Sequence, residues 1–248
     1  SDRGLNLTST NYVVISTKLK LISGANYTLS AHFMPYSVPD GKKKNEQQYA
    51  ILMKPGYHLG LSFGHDRRFA MSHQFVAGSK TNLVAAFSSG KFDENEWHHV
   101  VGTVNRSEGT VNLFVDGKAA GNAEFPANSR GYVSSELWRI GVASPMGKSH
   151  RWYAEGAVDQ VRIYNRALET EEVSELYVIE QPAPFEKEML VYYPFNAAAL
   201  ENVKKSLPSK GSAGGFNLAE PQKNPLLKPE PTEDRFGEPN AAYLFDGM

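Results

Sequence analysis

The sequence predicts an all-β fold, a two-sheet antiparallel β-sandwich with one short helix after its last strand. The first observation is the stretch Trp97–Gly117, where two alternating runs are joined by the polar segment Asn105–Gly109 and closed by Asp116-Gly117, as in a β-hairpin. The second is that many short β-prone runs are separated by Gly, Asp and Pro turns. Only one segment favours a helix, and this combination is typical of a β-sandwich.

The elements before this hairpin are predicted to be short strands. Leu5–Leu7 and Tyr12–Ile15 are two brief β-prone runs around a turn-like segment. Asn26–Phe33 alternates cleanly, which places its odd-numbered residues from Tyr27 to Phe33 on the predicted core face. After the polar residues 35–48, the pattern of strand and turn recurs over residues 49–53, 57–63, 69–75 and 83–87.

The hairpin and the elements after it complete the sandwich. Both parities of Trp97–Val104 carry apolar or compact residues, so we expect both faces of this strand to be covered. Leu137–Val142 and Gly156–Tyr164 supply two more strands, and a parity change around Asp159-Gln160 predicts a bulge. The helix is predicted over Leu168–Tyr177, with Thr170 as its N-cap and carboxylates in its first turn.

The composition excludes several classes of protein. The 248 residues carry a net charge of −1, which gives no concentrated basic surface for nucleic acid. Lys42–Lys44 is read as a solvated loop tip. Cysteine is absent, which rules out disulfides and thiolate chemistry, and no apolar run approaches the ~20 residues that span a bilayer.

Four blocks together resemble the laminin-G-like, concanavalin A-like lectin/glucanase jelly rolls, in particular the bacterial branch related to pentraxins. They occur in the family's order and spacing, as Tyr27–Phe33, Trp97–Val100, Asn112–Gly117 and Gly156–Leu168. The resemblance implies a laminin-G-like jelly-roll domain over residues 1–178.

The remaining residues are predicted to be a linker, 179–188, and a tail, 189–248, that resembles the start of a second jelly-roll domain. The family opens with a strand like Leu190–Asn196 and later reaches a turn like Phe245–Gly247, whereas Leu5–Ile15 looks like the region after such a turn. The tail is therefore the front of a truncated domain, an edge strand for residues 1–178, or an edge strand for a neighbouring molecule through strand exchange between protomers. We predict that Tyr192–Phe195 adds to a sheet edge, in cis ahead of in trans.

Carbohydrate binding would use an exposed aromatic side chain beside amides, carboxylates or histidines, since sugars offer apolar ring faces and many hydroxyls. Trp152 and Tyr153, in the predicted loop before the last strand, are the first candidates. The second group comprises Tyr57, His58, His65, Asp66 and Arg67. The alternative for each is simple coverage of the sandwich rim, while Trp97 and Trp138 are expected in the core.

Calcium is implied by the resemblance, because jelly rolls of this family often hold a structural ion near the start of the final strand. Asp159 matches the family's acidic position, and its carboxylate with loop carbonyls would offer the oxygen ligands that calcium takes. The alternative is an aspartate that caps a bulge or pairs with an arginine. We expect no transition-metal site at His98-His99, because adjacent strand residues point to opposite faces.

The related laminarinase-type hydrolases carry alternating acids on one strand in an E-x-D-x-x-E pattern, and this sequence has no such strand. The densest acidic group falls on the predicted helix, where a solvated face is expected; it comprises Glu169, Glu171, Glu172 and Glu175. Asp93–Glu96 is predicted to be a turn.

The resemblance implies a non-catalytic, extracytoplasmic binding module of a bacterial surface or secreted protein, whose partner is a glycan. A lipid anchor in the precursor is one alternative for how such a protein is held at the surface. The alternative is a structural or adhesive domain that binds a surface protein. The third hypothesis is a glycoside hydrolase with an unrecognised site.

Overall fold

The computed structural model describes residues 5–7, 12–15, 26–42, 47–54, 59–131, 137–143, 152–178, 189–193, 217–218, 230–232 and 242–244. These residues form two sheets that face each other and one short helix. The predicted fold class is therefore confirmed.

The strands are short, as the spacing of turns in the sequence predicts. In chain order they are β1 (Leu5–Leu7), β2 (Val13–Val14), β3 (Tyr27–Pro35), β4 (Gln48–Lys54), β5 (Leu59–Gly64), β6 (Phe69–Ala77), β7 (Lys80–Phe87), β8 (His98–Asn105), β9 (Thr110–Val115), β10 (Lys118–Glu124), β11 (Arg130–Gly131), β12 (Arg139–Ile140), β13 (Gly156–Tyr164), β14 (Met189–Tyr193), β15 (Asn217–Leu218), β16 (Glu230–Thr232) and β17 (Ala242–Leu244). The helix α1 spans Thr170–Val178.

The nine-stranded sheet has the order β10-β9-β8-β3-β13-β1-β17-β16, with β14 also paired to β13. The eight-stranded sheet has the order β11-β6-β5-β4-β12-β2-β15, with β7 paired to the other side of β6. Among the described residues every pairing is antiparallel except that of β1 with β17. Below, we refer to these as the large sheet and the small sheet.

The core lies between the two sheets and follows the period of two. Tyr27 and Phe33 at the two ends of the predicted core face of β3 are fully buried, as are the alternate residues between them. Trp138 is buried as predicted, but Trp97 is half-buried because it lies in the loop before β8 and outside the sheet.

The hairpin of β8 and β9 forms the interior of the large sheet. His98 to Val104 are all buried, so the prediction that both faces of this strand are covered is confirmed. Gly102 lies directly beneath Met71 of the opposite sheet, and a Cβ at this position would collide with the Met71 side chain. This glycine lets the two sheets approach closely at the centre of the sandwich.

The helix begins at Thr170, the residue predicted as its N-cap, so the observed cap lies one residue earlier than predicted. Thr170 is the first helical residue, and Glu169 occupies the capping position, because its N–H donates to the Glu172 carboxylate at 2.9 Å. Val173 and Leu176 pack on Tyr164 at the outer face of the large sheet. The acidic group predicted for this helix lies there, mainly on its outer side.

The tail contributes strands to both sheets. Its first strand, β14, runs antiparallel along β13, with Tyr192 opposite Arg162 and Tyr193 opposite Val161. The same edge of β13 holds β1 from Gly156 to Val158. The division of the chain into domain, linker and tail remains a prediction.

Candidate functional site

One end of the sandwich collects the loops that carry most of the predicted site residues. At this end β3 finishes as β13 begins, since Pro35 lies opposite Gly156, and β4 begins where β5 finishes, since Gln48 lies opposite Gly64. The described loop residues of this end, with Gly64 at the end of β5, are termed the rim, and they comprise residues 36–42, 64–68, 88–97 and 152–155.

The β5–β6 turn holds three predicted ligand residues, His65, Asp66 and Arg67. Arg67 has a φ of 63°, a left-handed conformation that turns the chain sharply. Its guanidinium pairs with Asp93 at 2.5 Å and with Glu94 at 2.8 Å, both on the loop before β8. Arg67 therefore joins two rim loops to each other.

Asp66 is paired in the same way with Arg68, whose guanidinium approaches its carboxylate to 2.6 Å. Partial burial raises the pKa of Asp66, but the hydrogen bonds and charge of Arg68 outweigh it and hold that pKa below its ordinary value. Arg68 also stacks over the ring of Phe87, 5.0 Å from its centroid. His65 is exposed beside Gly41, so it is the predicted residue of this turn that presents an open ring.

Trp152 is buried, which makes the prediction of an exposed aromatic platform at this residue wrong. Only 8% of it is exposed, and it packs with Ala50, Met53 and Ala143 outside the main core. Its backbone has a φ of 41°, and its carbonyl accepts from the Ala50 N–H at 3.2 Å, which anchors the loop to β4. Tyr153 is half-buried at the same rim.

His58 and Tyr57 lie outside the described residues. Their role in ligand binding remains a prediction.

The rim also holds a carboxylate-hydroxyl cluster that the sequence did not reveal, formed by Glu155, Ser37 and Tyr49. Ser37 Oγ donates to Glu155 Oε2 at 2.7 Å, and Tyr49 Oη lies 3.2 Å from the same oxygen and 2.5 Å from Ser37 Oγ. Ser37 follows β3 of the large sheet and Tyr49 lies on β4 of the small sheet, so the cluster bridges the two layers. Glu155 is half-buried, and in the described part of the chain its Oε1 accepts no protein hydrogen bond.

Two tyrosines stand next to this cluster along the chain. Tyr36 precedes Ser37, and its N–H donates to the Glu155 carbonyl at 3.1 Å. Tyr153 lies two residues before Glu155, and both tyrosines are half-buried. The rim therefore combines an open carboxylate oxygen, hydroxyl groups and aromatic rings, which are the groups that contact sugars.

Asp159 lies farther into the large sheet and is fully buried. Its Oδ1 accepts from the Gln160 N–H at 2.6 Å, and the pairing with β3 shifts between Asp159 and Arg162. The predicted bulge is thus confirmed. Asp159 caps this bulge, which is the role predicted as an alternative to calcium binding. Gln160 has a φ of 46° at this point.

The described residues do not by themselves complete a calcium site at Asp159. Calcium takes about six to eight oxygen ligands. Within the described ranges no group of three or more His, Cys, Asp or Glu side chains converges to hold a metal ion. Calcium at Asp159 therefore remains a prediction.

His98 and His99 point to opposite sides of the large sheet, as predicted. The His98 ring lies against Phe92, with 4.8 Å between centroids, and its Nδ1 is 2.9 Å from Asp116 Oδ2. The His99 ring stacks on His32 at 4.5 Å on the outer face. One ion cannot be held by both rings.

The chain is similar to a known family and to several solved structures. The model of the concanavalin A-like lectin/glucanases superfamily matches residues 7–174. No curated protein sequence matches the chain. In the part of the chain that the structure describes, no helix is long and apolar enough to cross a membrane.

Several solved structures share the fold at low sequence identity. A "putative carbohydrate binding protein" from Bacteroides ovatus has a TM-score of 0.67 and 13% identity over 88% of this chain, which spans 58% of that protein. The CBM40 of a Ruminococcus gnavus IT-sialidase, solved with α2,3-sialyllactose, has a TM-score of 0.54 and 11% identity, covering 71% of this chain and 96% of that one. A Limulus polyphemus pentraxin has a TM-score of 0.44 and 12% identity, covering 72% and 87%, and this likeness is too distant to assign a branch of the family.

Proposed function

This chain belongs to the concanavalin A-like lectin/glucanase superfamily, and on that premise we propose that it is a non-catalytic carbohydrate-binding module acting outside the cytoplasm. Fold alone does not define a ligand, because one fold hosts many functions. The proposal therefore depends on the rim and on the chemistry of its side chains.

The observation that carries the proposal is the cluster of Glu155, Ser37 and Tyr49. Its hydroxyl groups hold one carboxylate oxygen in place and leave Oε1 available at the open end of the sandwich. Such a pre-ordered acceptor binds a sugar hydroxyl without first losing much side-chain entropy. Tyr36 and Tyr153 add aromatic surface beside it.

Proteins of the same fold support the proposal by their names. The Bacteroides ovatus protein is named as a putative carbohydrate binding protein and the CBM40 is bound to α2,3-sialyllactose, although identities of 13% and 11% establish the fold alone. Extracytoplasmic glycans are the ligands such modules meet, so the proposed location follows from the proposed ligand.

The test is a glycan array probed with the full chain at several concentrations. We expect binding to at least one glycan class, and Tyr49→Phe should weaken it about tenfold, because it removes one hydroxyl from the cluster and keeps the ring. Tyr177→Phe is the matched control, since Tyr177 is exposed at the end of α1. Silence of the folded chain across the whole array would refute the proposal.

A protein-interaction domain is the second candidate, favoured by the strand β14 along the edge of β13. Strand addition is a recurring way for proteins to bind one another. Dimerisation that depends on protein concentration, and that disappears when residues 189–248 are deleted, would support this function.

A further inference from the structure

We infer that the rim cluster takes a neutral or amino sugar through a hydroxyl or ammonium donor at Glu155 Oε1, and that it does not take a sugar acid. The inference rests on the proposed function, since it names the ligand class of the same site. It is carried by the hydrogen bonds of the cluster and by the pairing of the rim cations.

The number of hydroxyl protons within the cluster determines whether Glu155 binds a donor or an acceptor of the ligand. Ser37 and Tyr49 each have one hydroxyl proton, and both hydroxyls lie within hydrogen-bond distance of Oε2 and of each other. Within the cluster, the contacts of these hydroxyls go to Oε2 and to each other, and none goes to Oε1. Oε1 is left as an acceptor, and a ligand that displaces water from it must supply a donor in its place.

A carboxylate on the ligand would be repelled by the Glu155 carboxylate at Oε1. Two like charges at hydrogen-bond distance repel each other, and partial burial makes the repulsion stronger than in water. A neutral sugar offers hydroxyl donors, and an amino sugar offers an ammonium group that adds charge attraction. The open oxygen therefore selects donors and rejects anions.

The arginines of the rim are already paired, so they are poorly placed to reverse this preference. Arg67 is held by Asp93 and Glu94, and Arg68 is held by Asp66. Recognition of a sugar carboxylate typically uses a bidentate arginine, which would have to leave these partners. The described rim residues carry six carboxylates against four lysine and arginine cations.

Lys42 and Lys91 are the exposed lysines of the described rim, and Lys42 is the one on the same loop as a member of the cluster. It is exposed, it lies on the loop after β3 that also carries Ser37, and it begins the Lys42–Lys44 triplet. A lysine acts on a carboxylate as a single point charge, with less geometric selectivity than an arginine. Replacing it therefore tests the competing ligand class directly.

The experiment measures binding of the full chain to three sets of glycans at equal density: neutral hexose-terminated, glucosamine-terminated with a free amine, and sialic acid- or uronate-terminated. We expect binding to the neutral or the amine set. Glu155→Gln should weaken it at least tenfold, whereas Glu124→Gln, at the far end of β10, should not change it. Thermal melting checks that both variants are folded, and Ser37→Ala serves as the second cluster variant if Glu155→Gln unfolds.

The outcomes separate this inference from the function on which it rests. Binding of the acidic set overturns the inference and leaves carbohydrate binding intact, and its loss in Lys42→Ala would identify the cation that holds the ligand. Neutral or amino binding that is unchanged in Glu155→Gln and Ser37→Ala also overturns it, because the ligand would then sit elsewhere. No binding of any set refutes the proposed function itself.

Discussion

His73 is a titratable residue inside the sandwich. Its Nδ1 lies 3.0 Å from Tyr27 Oη, and its ring packs 4.8 Å from that of Phe125. Burial, followed by the charge of Arg106, lowers the pKa of His73 to about 4. The imidazole is therefore neutral at physiological pH.

The buried histidine predicts a loss of stability in acid. Because the folded pKa is below the ordinary value of 6.5, the unfolded chain binds more protons between about pH 6.5 and 4, and stability falls as the pH falls through this range. The full effect is about 3 kcal/mol. Urea unfolding at several pH values should show a weaker pH dependence for His73→Gln than for the wild type.

Exposed His65 provides the control for this experiment, because His65→Gln should retain the wild-type pH dependence. The same acid sensitivity in His73→Gln and the wild type would contradict the assignment to His73.

Substitution of two glycines in hairpin turns distinguishes the cost of backbone strain from the cost of a steric collision. Gly78 and Gly109 have φ values of 63° and 73°, but a Cβ on Gly78 would meet nothing within 4 Å, whereas one on Gly109 would strike the carbonyl of Phe125. We expect Gly78→Ala to cost about 1 kcal/mol and Gly109→Ala at least twice that. Chemical denaturation measures both, and equal costs would exclude the collision.

At the scale of elements, α1 is fixed at its start by Glu172. Arg166 donates to both carboxylate oxygens, at 2.6 and 2.7 Å, and the hydrogen bonds of Arg166 lower the pKa of Glu172. The same carboxylate accepts from the Glu169 N–H. One side chain therefore caps the helix and ties it to the segment after β13.

Removing this charge should loosen the helix. We expect Glu172→Gln to lower the free energy of unfolding by about 1 kcal/mol at neutral pH, because a capping bond and a paired charge are both weakened. Glu171→Gln in the same turn is the matched control and should have little effect. Since the pKa of Glu172 is depressed in the folded protein, the difference between these variants should shrink as the pH falls below the ordinary value of 4.5 and vanish below the depressed pKa.

The strands were predictable because their residue types are visible in the sequence: apolar residues alternate with polar ones in β3, and β8 carries apolar or compact residues on both parities. Trp152 was not, because its burial depends on Ala50 and Met53, which are small or flexible and leave room on β4. Neither fact is visible near Trp152 in the chain. The N-cap was predicted at Thr170 and is found at Glu169. Threonine is a common N-cap residue, whereas the contact of the Glu172 carboxylate with the Glu169 N–H is not evident from the sequence.

The rim cluster was beyond sequence prediction for a similar reason. Ser37 and Glu155 are separated by 118 positions, and only the pairing of Pro35 with Gly156 brings them together. The nearest signal in the sequence was Glu155, the acidic residue just before β13. The turn residues His65 to Arg67 were found because they are adjacent, but their ion pairs depend on a loop that approaches from another part of the chain.

At the scale of the whole molecule, the tail strand β14 should contribute to stability. Proline at Val191 removes a backbone N–H and restricts the strand opposite Ile163, so Val191→Pro should lower the free energy of unfolding by about 1–3 kcal/mol. Val191→Thr keeps the N–H and a β-branched side chain, so it should cost less. Equal unfolding midpoints of Val191→Pro and the wild type would show that the tail strand adds no stability.

The shared edge of β13 also determines where the chain can be cut and rejoined. β14 and β1 follow one another in the same direction along β13, and the gap between Tyr193 and Leu5 lies opposite the bulge at Asp159-Gln160. The two segments thus occupy the place of a single broken strand. A circular permutant that begins near residue 188 and links the end of the tail to the first residues should therefore trace the same sandwich.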